Sequence, residues 1–293
     1  MNKRRIIIDS AGAKVLITST DFNIKKLEQS EFLQRYVPNC KILYDSVSAV
    51  ANITLKTGKP DFFLKYPKAK YTNIFYEDKD IVSLIEFLLE GVRQETGIYC
   101  LHSSSTVMNG KSIIFWGNAS GMGKTRLALT LSEKFGAQMY SDEKTLLNLQ
   151  ENIVIGGIAS IYLSKPYLQD KFGNADFYNF TQPGQPFSVG FFVYPHIDED
   201  SKSIYVERWD ANKFSWHLYE ELSRKIRGTS RRIFNNTLPV SSIDSIPIAT
   251  QRSLAVEAYV KSTPCYYMRG SEVLICENIL KLCDKFNETK KTF

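Results

Sequence analysis

The residue types best suited to chemistry form a glycine-rich loop near the middle of the chain. The loop reads Asn118-Ala119-Ser120-Gly121-Met122-Gly123-Lys124-Thr125 and follows an apolar segment with strand character. Its last positions match the Walker A phosphate loop, although Asn118 stands where that pattern has its first glycine. Glycines in such a loop let backbone N–H groups face phosphate oxygens, the lysine reaches the β- and γ-phosphates, and the hydroxyl binds Mg²⁺. We therefore expect ATP to bind from Asn118 to Arg126, the alternative being a glycine-rich turn without a ligand.

Two carboxylates and one histidine are candidates to complete this site. Asp142 and Glu143 follow residues 138–140, which are predicted to be the strand after the helix of the loop. At the end of that strand, Asp142 would either bind Mg²⁺ or accept a proton from an attacking hydroxyl. Two solvated loop acids are the alternative. His102 ends another strand of the same core, but a lone histidine is more often structural than catalytic.

The order of these elements resembles a known kinase family. His102, the hairpin turn Asn109-Gly110-Lys111, the phosphate loop and the acidic pair are similar to the catalytic domain of bacterial HPr kinase/phosphorylase. They are more similar still to the HPr-kinase-related small kinases, which include lasso-peptide serine kinases. The close match spans residues 101–143.

This resemblance implies a P-loop core of the HPr kinase and phosphoenolpyruvate carboxykinase type. It implies that Asp142 is the general base, that Glu143 assists it or the metal, and that Lys124 and His102 act in catalysis. Two features differ from HPr kinase. Arg126 stands where HPr kinase has glutamate. The Arg-Gly-x-Gly signature of HPr kinase is reduced to Gly156-Gly157 in this chain. Both differences argue against HPr as the phosphoryl acceptor.

Other basic residues could contact phosphate. A cluster within residues 224–232 contains Arg224, Lys225, Arg227, Arg231 and Arg232. It could be the solvated end of a helix or a clamp for an anionic substrate, whereas RNA binding lacks the interleaved aromatic residues that stack on bases. Arg252 and Arg269 are candidates for the cation that stabilises the transition state.

These groups need a fold that brings them together, and the pattern predicts an α/β architecture. Apolar residues at three-to-four spacing predict a helix over residues 80–96. A strand, glycine loop, helix and strand in succession predict a nucleotide-binding core in the second part of the chain. We therefore expect a small N-terminal α+β domain over residues 1–95, with a role in substrate recognition, and a kinase domain over residues 96–293.

Several further segments have a predicted conformation. Short strands are expected at residues 5–9, 14–18, 41–44 and 73–76. Residues 165–186 are rich in glycine, proline, asparagine and glutamine, so they are predicted to be a long loop that could cover a substrate.

Composition and charge narrow the class of protein. The chain has 293 residues, with 37 Lys+Arg against 31 Asp+Glu, and this net charge of +6 allows an anionic ligand without identifying a nucleic-acid binder. No apolar run approaches the ~18 residues of a membrane span. The five cysteines are scattered, which argues against a disulfide framework or a zinc site. We expect a soluble cytoplasmic protein with no membrane partner, and homo-oligomerisation stays open.

The pattern as a whole predicts an ATP- and Mg²⁺-dependent kinase. Its acceptor would be a hydroxyl group of a peptide, a protein or a small molecule. The alternatives are an ATP-binding regulatory switch without phosphoryl transfer and an RNA or nucleoside kinase.

Overall fold

The chain divides into two compact units. The computed structural model describes residues 4–19, 24–44, 48–117, 119–163, 166–173, 175–228 and 230–288. The first unit joins Met1–Tyr99 to Leu222–Leu254, and the second joins Cys100–Glu221 to Ala255–Phe293. Helices and strands alternate in both, which confirms the mixed α/β class. The predicted division into 1–95 and 96–293 differs from this, since Leu222–Leu254 belongs to the first unit.

The first unit is built on a mixed sheet. Within its described residues the strand order is β3-β1-β2-β4-β6-β5, with β2, β4 and β6 parallel and the other neighbours antiparallel. The turn between β1 and β2 places Ala11 and Gly12 at positive φ, as a tight hairpin requires. Its elements are β1 (Arg4–Ser10), β2 (Ala13–Ser19), α1 (Ile24–Glu28), α2 (Glu31–Tyr36), β3 (Cys40–Leu43), β4 (Ala51–Lys56), β5 (Asp61–Lys65), β6 (Lys68–Thr72) and α3 (Asp78–Glu95).

The segment Leu222–Leu254 belongs to the first unit because of its apolar side chains. Ile226, Ile233, Val240 and Ile243 are buried in the same core as the inner face of α3. Burying such side chains contributes about 1.5–3 kcal/mol each, so the segment is part of this core although it is distant in sequence. The segment contains the hairpin of β16 (Ser230–Ile233) and β17 (Asn236–Pro239).

Three elements cross the sequence boundaries between the units. They are β7 (Ile98–Leu101), α6 (Ala211–Arg224) and α7 (Ile246–Ser262).

The second unit contains a larger sheet of order β11-β10-β8-β9-β14-β18-β15. Strand β14 runs parallel to both β9 and β18, whereas β8 and β15 run antiparallel to their neighbours. Helix α4 packs on β8, β9 and β10, and α8 packs on α4, β14 and β18. Its elements are β8 (Ser103–Met108), β9 (Lys111–Trp116), α4 (Lys124–Phe135), β10 (Gln138–Asn148), β11 (Ile153–Ile158), β12 (Ser160–Tyr162), α5 (Pro166–Phe172), β13 (Phe177–Asn179), β14 (Phe187–Ile197), β15 (Tyr205–Arg208), β18 (Cys265–Gly270) and α8 (Glu272–Glu288).

Two predictions of local structure were wrong. Residues 73–76 form no strand, and the strand predicted there is β6, which ends at Thr72. The predicted loop 165–186 contains α5 and β13, and β13 pairs with β12. Buried Leu168 and the stacked rings of Phe172 and Tyr178 explain why this glycine- and proline-rich segment is ordered. Lys165 lies outside the described residues.

Helix length and polarity decide whether a helix can span a membrane. Among the residues that the structure describes, no helix is both long enough and apolar enough to span a bilayer.

A buried arginine gives a stability prediction for the first unit. The Arg252 guanidinium is fully buried and donates to Gln94 Oε1 at 2.7 Å and to Asp244 Oδ2 at 2.7 Å. Arg252→Ala would leave the Asp244 carboxylate without this partner, so we expect a loss of about 3–5 kcal/mol. Chemical denaturation followed by far-UV circular dichroism measures it, with the exposed Arg208→Ala as the control. Unchanged stability with lost turnover would instead support Arg252 as a catalytic cation.

Candidate active site

The glycine-rich loop joins the end of β9 to the start of α4. Gly121 and Gly123 have φ of 84° and 93°, a region that residues with a Cβ rarely adopt. A Cβ on Gly123 would also clash with the side chain of Ile197, at the end of β14. Backbone conformation and packing therefore both require glycine at position 123, where α4 begins.

The lysine of the loop is buried. Lys124 is 7% exposed, and its Nζ donates to the backbone carbonyl of Ala119 at 2.9 Å. Ala119, Ser120 and Gly121 are exposed, so the loop surface is open to solvent, while Met122 lies against Gly117. Asn118, also predicted to bind phosphate, lies outside the described residues. A lysine held over exposed backbone at a helix N-terminus can bind an anion.

The buried carboxylate of Asp142 connects three elements. Asp142, on β10, is 1% exposed. Its Oδ1 accepts a hydrogen bond from Thr125 Oγ1 at 2.8 Å and a very short one from Ser104 Oγ. Thr125 lies in the first turn of α4 and Ser104 lies on β8, so strand, helix and strand converge on one oxygen. Sequence analysis predicted Thr125 and Asp142 but missed Ser104, although three serines in a buried strand were a signal.

A chain of hydroxyl groups lies behind this carboxylate. Ser105 Oγ and Ser141 Oγ are 2.6 Å apart, Ser141 Oγ and Thr145 Oγ1 are 2.6 Å apart, and Ser103 donates to Thr145 at 2.7 Å. All four side chains are buried. Because these four hydroxyls satisfy one another, β8 and β10 can be polar at these positions.

Burial changes the protonation of Asp142. Desolvation is the main cause that raises its pKa from 3.8 to about 7, and the nearby Glu143 charge raises it further. Hydrogen bonds from Ser104 and Thr125 act in the opposite direction but do not offset burial. A carboxylate with this pKa can accept a proton near neutral pH.

Glu143 lies on a distorted part of β10 and faces His102, which lies between β7 and β8. The pairing of β10 with β11 shifts register between Asp142 and Thr145, and Glu143 has a φ of 61°. Such a bulge lets Asp142 be buried while the next side chain remains half exposed. The Glu143 carboxylate lies 3.9 Å from His102 Nε2. The predicted end of the strand at residue 140 was therefore wrong, because β10 continues through the acidic pair to Asn148.

Asp142 and Thr125 have the ligand types for a magnesium ion. A carboxylate and a hydroxyl oxygen 2.8 Å apart match the protein share of a Mg²⁺ site, whose other positions are water and phosphate. A cation there would also stabilise the buried carboxylate. No three His, Cys, Asp or Glu side chains form a metal-binding group in the described part of the chain. Glu143, the third predicted ligand, contacts His102 instead.

Arg126 and Tyr167 extend the site on another side. The Arg126 guanidinium pairs with Glu199 at 2.6 Å and closely with Glu272, while its contact with a nucleotide stays a prediction. The Tyr167 hydroxyl, on α5, is close enough to Arg126 and Asp142 for both charges to act on its pKa, which burial raises. Sequence analysis placed Tyr167 in an irregular loop and gave it no role.

The basic cluster of residues 224–232 makes contacts inside the first unit. Arg227 lies 3.6 Å from Asp244, Arg232 lies 3.4 Å from Asp80, and Arg231 covers the ring of Phe87 at 4.6 Å. These contacts favour a structural role over a phosphate clamp.

The raised pKa of Asp142 gives a stability prediction. The native state binds its proton more tightly than the unfolded chain, so stability falls as the pH rises from about 4 to 7 and the full loss is present above 7. Asp142→Asn removes the buried charge, and we expect a gain on the order of 3 kcal/mol at pH 8 that vanishes near pH 4. Thermal unfolding without nucleotide or metal, from pH 4 to 8, measures this. Equal gains at both ends of the range would contradict the assigned cause.

Comparison with known proteins gives a limited result. No protein-family model matches the chain, and no curated protein matches it. Among solved structures, it is similar to the HPr(Ser) kinase/phosphatase from Coxiella burnetii, with 16% identity and a TM-score of 0.26 over 66% of this chain and 98% of the other. At this TM-score the similarity carries no argument about the site. Function is therefore inferred from the geometry of the described residues.

Proposed function

We propose that this protein is an ATP- and Mg²⁺-dependent kinase that phosphorylates a hydroxyl group. The observation that carries the proposal is the hydrogen bond of Thr125, in the first turn after the glycine-rich loop, to the buried carboxylate of Asp142. It joins a phosphate-binding loop to a group that can accept a proton, and phosphoryl transfer to an alcohol requires both.

The loop binds and orients the triphosphate. Backbone N–H groups of residues 119–124 and the N-terminus of α4 face the β- and γ-phosphates, and Lys124 leaves Ala119 to bind them. Thr125 and Asp142 would hold Mg²⁺, which would supply positive charge next to the phosphate oxygens. Because Lys124 and the backbone N–H groups are in place before the phosphoryl group is transferred, they stabilise the transition state with little further rearrangement.

Asp142 orients and deprotonates the acceptor. The acceptor O–H donates to the carboxylate while its oxygen forms a bond to the γ-phosphorus, and the bond from that phosphorus to the β–γ bridging oxygen breaks. The proton passes to Asp142 and is later released to solvent, and ADP leaves. With the cation bound, the pKa of Asp142 would lie below its metal-free value of about 7, so the carboxylate would be ionised before the reaction.

Helix α5 provides a candidate surface for the acceptor. Tyr167 is close to Asp142 and Arg126, and its hydroxyl can donate to or accept from a polar acceptor group. Because α5 belongs to the segment 165–186, this assignment keeps the acceptor-binding role first suggested for that segment.

Two variants with matched controls test the proposal. Lys124→Ala should weaken binding of ATP–Mg²⁺ at least tenfold, about the loss of one charge-assisted hydrogen bond, whereas the exposed Lys134→Ala on the same helix should not. Calorimetric titration with ATP measures both.

Asp142→Asn should retain ATP binding and lower phosphoryl transfer about 10²–10⁴-fold. Extract of the source cells is incubated with γ-labelled ATP and either wild-type protein, Asp142→Asn or the exposed Glu151→Gln control. We expect a labelled product with wild type and Glu151→Gln only. Equal labelling with Asp142→Asn would show that this carboxylate is not the base. ATP binding with no labelled product would favour the regulatory switch, and labelled RNA would favour the RNA kinase.

A further inference from the structure

A cavity lies at the edge of the larger sheet, in the second unit. It has a volume of about 420 Å³ and is lined by Asp198, Ser201, Ser203, Tyr205, Tyr267 and Arg269. All six residues belong to the second unit. None has a role in binding or transferring the phosphoryl group as described above.

The sheet topology connects this cavity to the phosphate loop. Strands β9, β14 and β18 are adjacent and parallel, so their carboxyl ends lie at one edge, where α/β proteins commonly bind ligands. The loop follows β9, Asp198 follows β14, and Arg269 is near the end of β18. Ile197, the neighbour of Asp198, packs on Gly123 of the loop. Two strand spacings, about 10 Å, separate β9 from β18.

The cavity lies on the side of the loop opposite to Asp142. In the sheet order, β10 with Asp142 is two strands from β9 in one direction, and β18 is two strands from β9 in the other. The acceptor hydroxyl must approach the γ-phosphate beside Asp142. The cavity is therefore on the side left for the rest of the nucleotide.

The lining combines aromatic rings with a charge pair. Tyr205 and Tyr267 lie with ring centroids 6.0 Å apart and planes at 63°, and Tyr205 is 57% exposed. Arg269 Nη2 donates to Asp198 Oδ2 at 3.0 Å. The two opposite charges cancel, so the lining favours an uncharged aromatic ligand over a second anion.

The carboxylate of Asp198 has a further binding capacity. Both hydrogen bonds from Arg269 reach Oδ2, at 3.0 and 3.3 Å. In the described part of the chain this leaves Oδ1 to accept from a ligand hydroxyl. A carboxylate beside a nucleotide site commonly binds the hydroxyls of ribose in this way.

We propose that this cavity binds the nucleoside part of the nucleotide whose phosphates occupy the loop. The base stacks on the face of one tyrosine ring and packs against the edge of the other, and a ribose hydroxyl donates to Asp198. Arg269 then orients Asp198 rather than acting on the transferring phosphoryl group. This assignment rests on the proposed function, since it requires a nucleotide in the loop.

Two ligands that differ only in the nucleoside test the assignment. Calorimetric titrations compare ATP with inorganic tripolyphosphate, both with Mg²⁺, on the wild type and on Tyr205→Ala and Tyr267→Ala. We expect each variant to bind ATP about tenfold more weakly, as for loss of one stacking ring, and to bind tripolyphosphate unchanged. Tyr267→Phe keeps the ring and should keep ATP affinity. The exposed Tyr44→Ala, in the first unit, is the control.

The outcomes separate the two proposals. If wild type binds ATP and both alanine variants bind it equally well, the nucleoside assignment is wrong while the kinase proposal stands. If the alanine variants lose affinity for both ligands equally, the tyrosines support the loop and the assignment is again wrong. If wild type binds neither ligand, the proposed function is wrong and the nucleoside assignment with it.

Discussion

The arrangement of the second unit depends on the buried carboxylate of Asp142, which has no basic partner among the residues that the structure describes. Ionising Asp142 out of water is unfavourable, and the contacts recorded at its Oδ1 are hydroxyl groups. Those hydroxyls come from β8 and from the first turn of α4, so the position of the carboxylate determines how strand and helix meet. The glycines of the loop serve the same geometry, because α4 can begin beside β14 only if position 123 lacks a side chain.

The strands on the two sides of β9 carry different functional groups. On one side of β9, the bulge in β10 separates a buried acid from the exposed Glu143 and its His102 contact. On the other side, the ends of β14 and β18 and the start of β15 hold a guanidinium, a carboxylate and two phenol rings. In the proposed function, the edge of this sheet places the proton-accepting Asp142 on one side of the phosphate loop and the nucleoside site on the other.

The first unit is held together by different interactions. The buried guanidinium groups of Arg93 and Arg252 pair with carboxylates, and Arg93 also donates to Ser10 at 2.7 Å. These contacts join α3, the first strand and the returning segment Leu222–Leu254. Removing one partner of such a buried ion pair strongly destabilises the fold, because the other charge stays buried without a partner. This is one reason to assign Arg93 and Arg252 a structural role.

Local pattern predicted many elements of the fold, but it did not predict α1, α2, β4, β5, α6 or the hairpin of β16 and β17. Periodicity predicted α3, glycine and asparagine predicted the hairpins, and the strand, loop and helix around residues 112–134 were confirmed with bounds within a residue or two. Pattern failed at residues 73–76 and 165–186. In the first case turn residues decided the strand end. In the second, contacts with distant side chains ordered a segment whose composition is typical of loops.

The sequence by itself determined the residue types of the loop, the acid that follows it and the α/β class, because each depends on contiguous residues. Only the tertiary structure decided that Ser104 shares Asp142 with Thr125, that carboxylates hold Arg126, and that Leu222–Leu254 joins the first unit. It also decided that two separate segments, residues 198–205 and 267–269, line the cavity at Tyr205 and Tyr267. The physical reason is that burial, charge pairing and cavity shape depend on residues that are distant in the chain, whereas turn geometry and helix or strand periodicity are properties of neighbours.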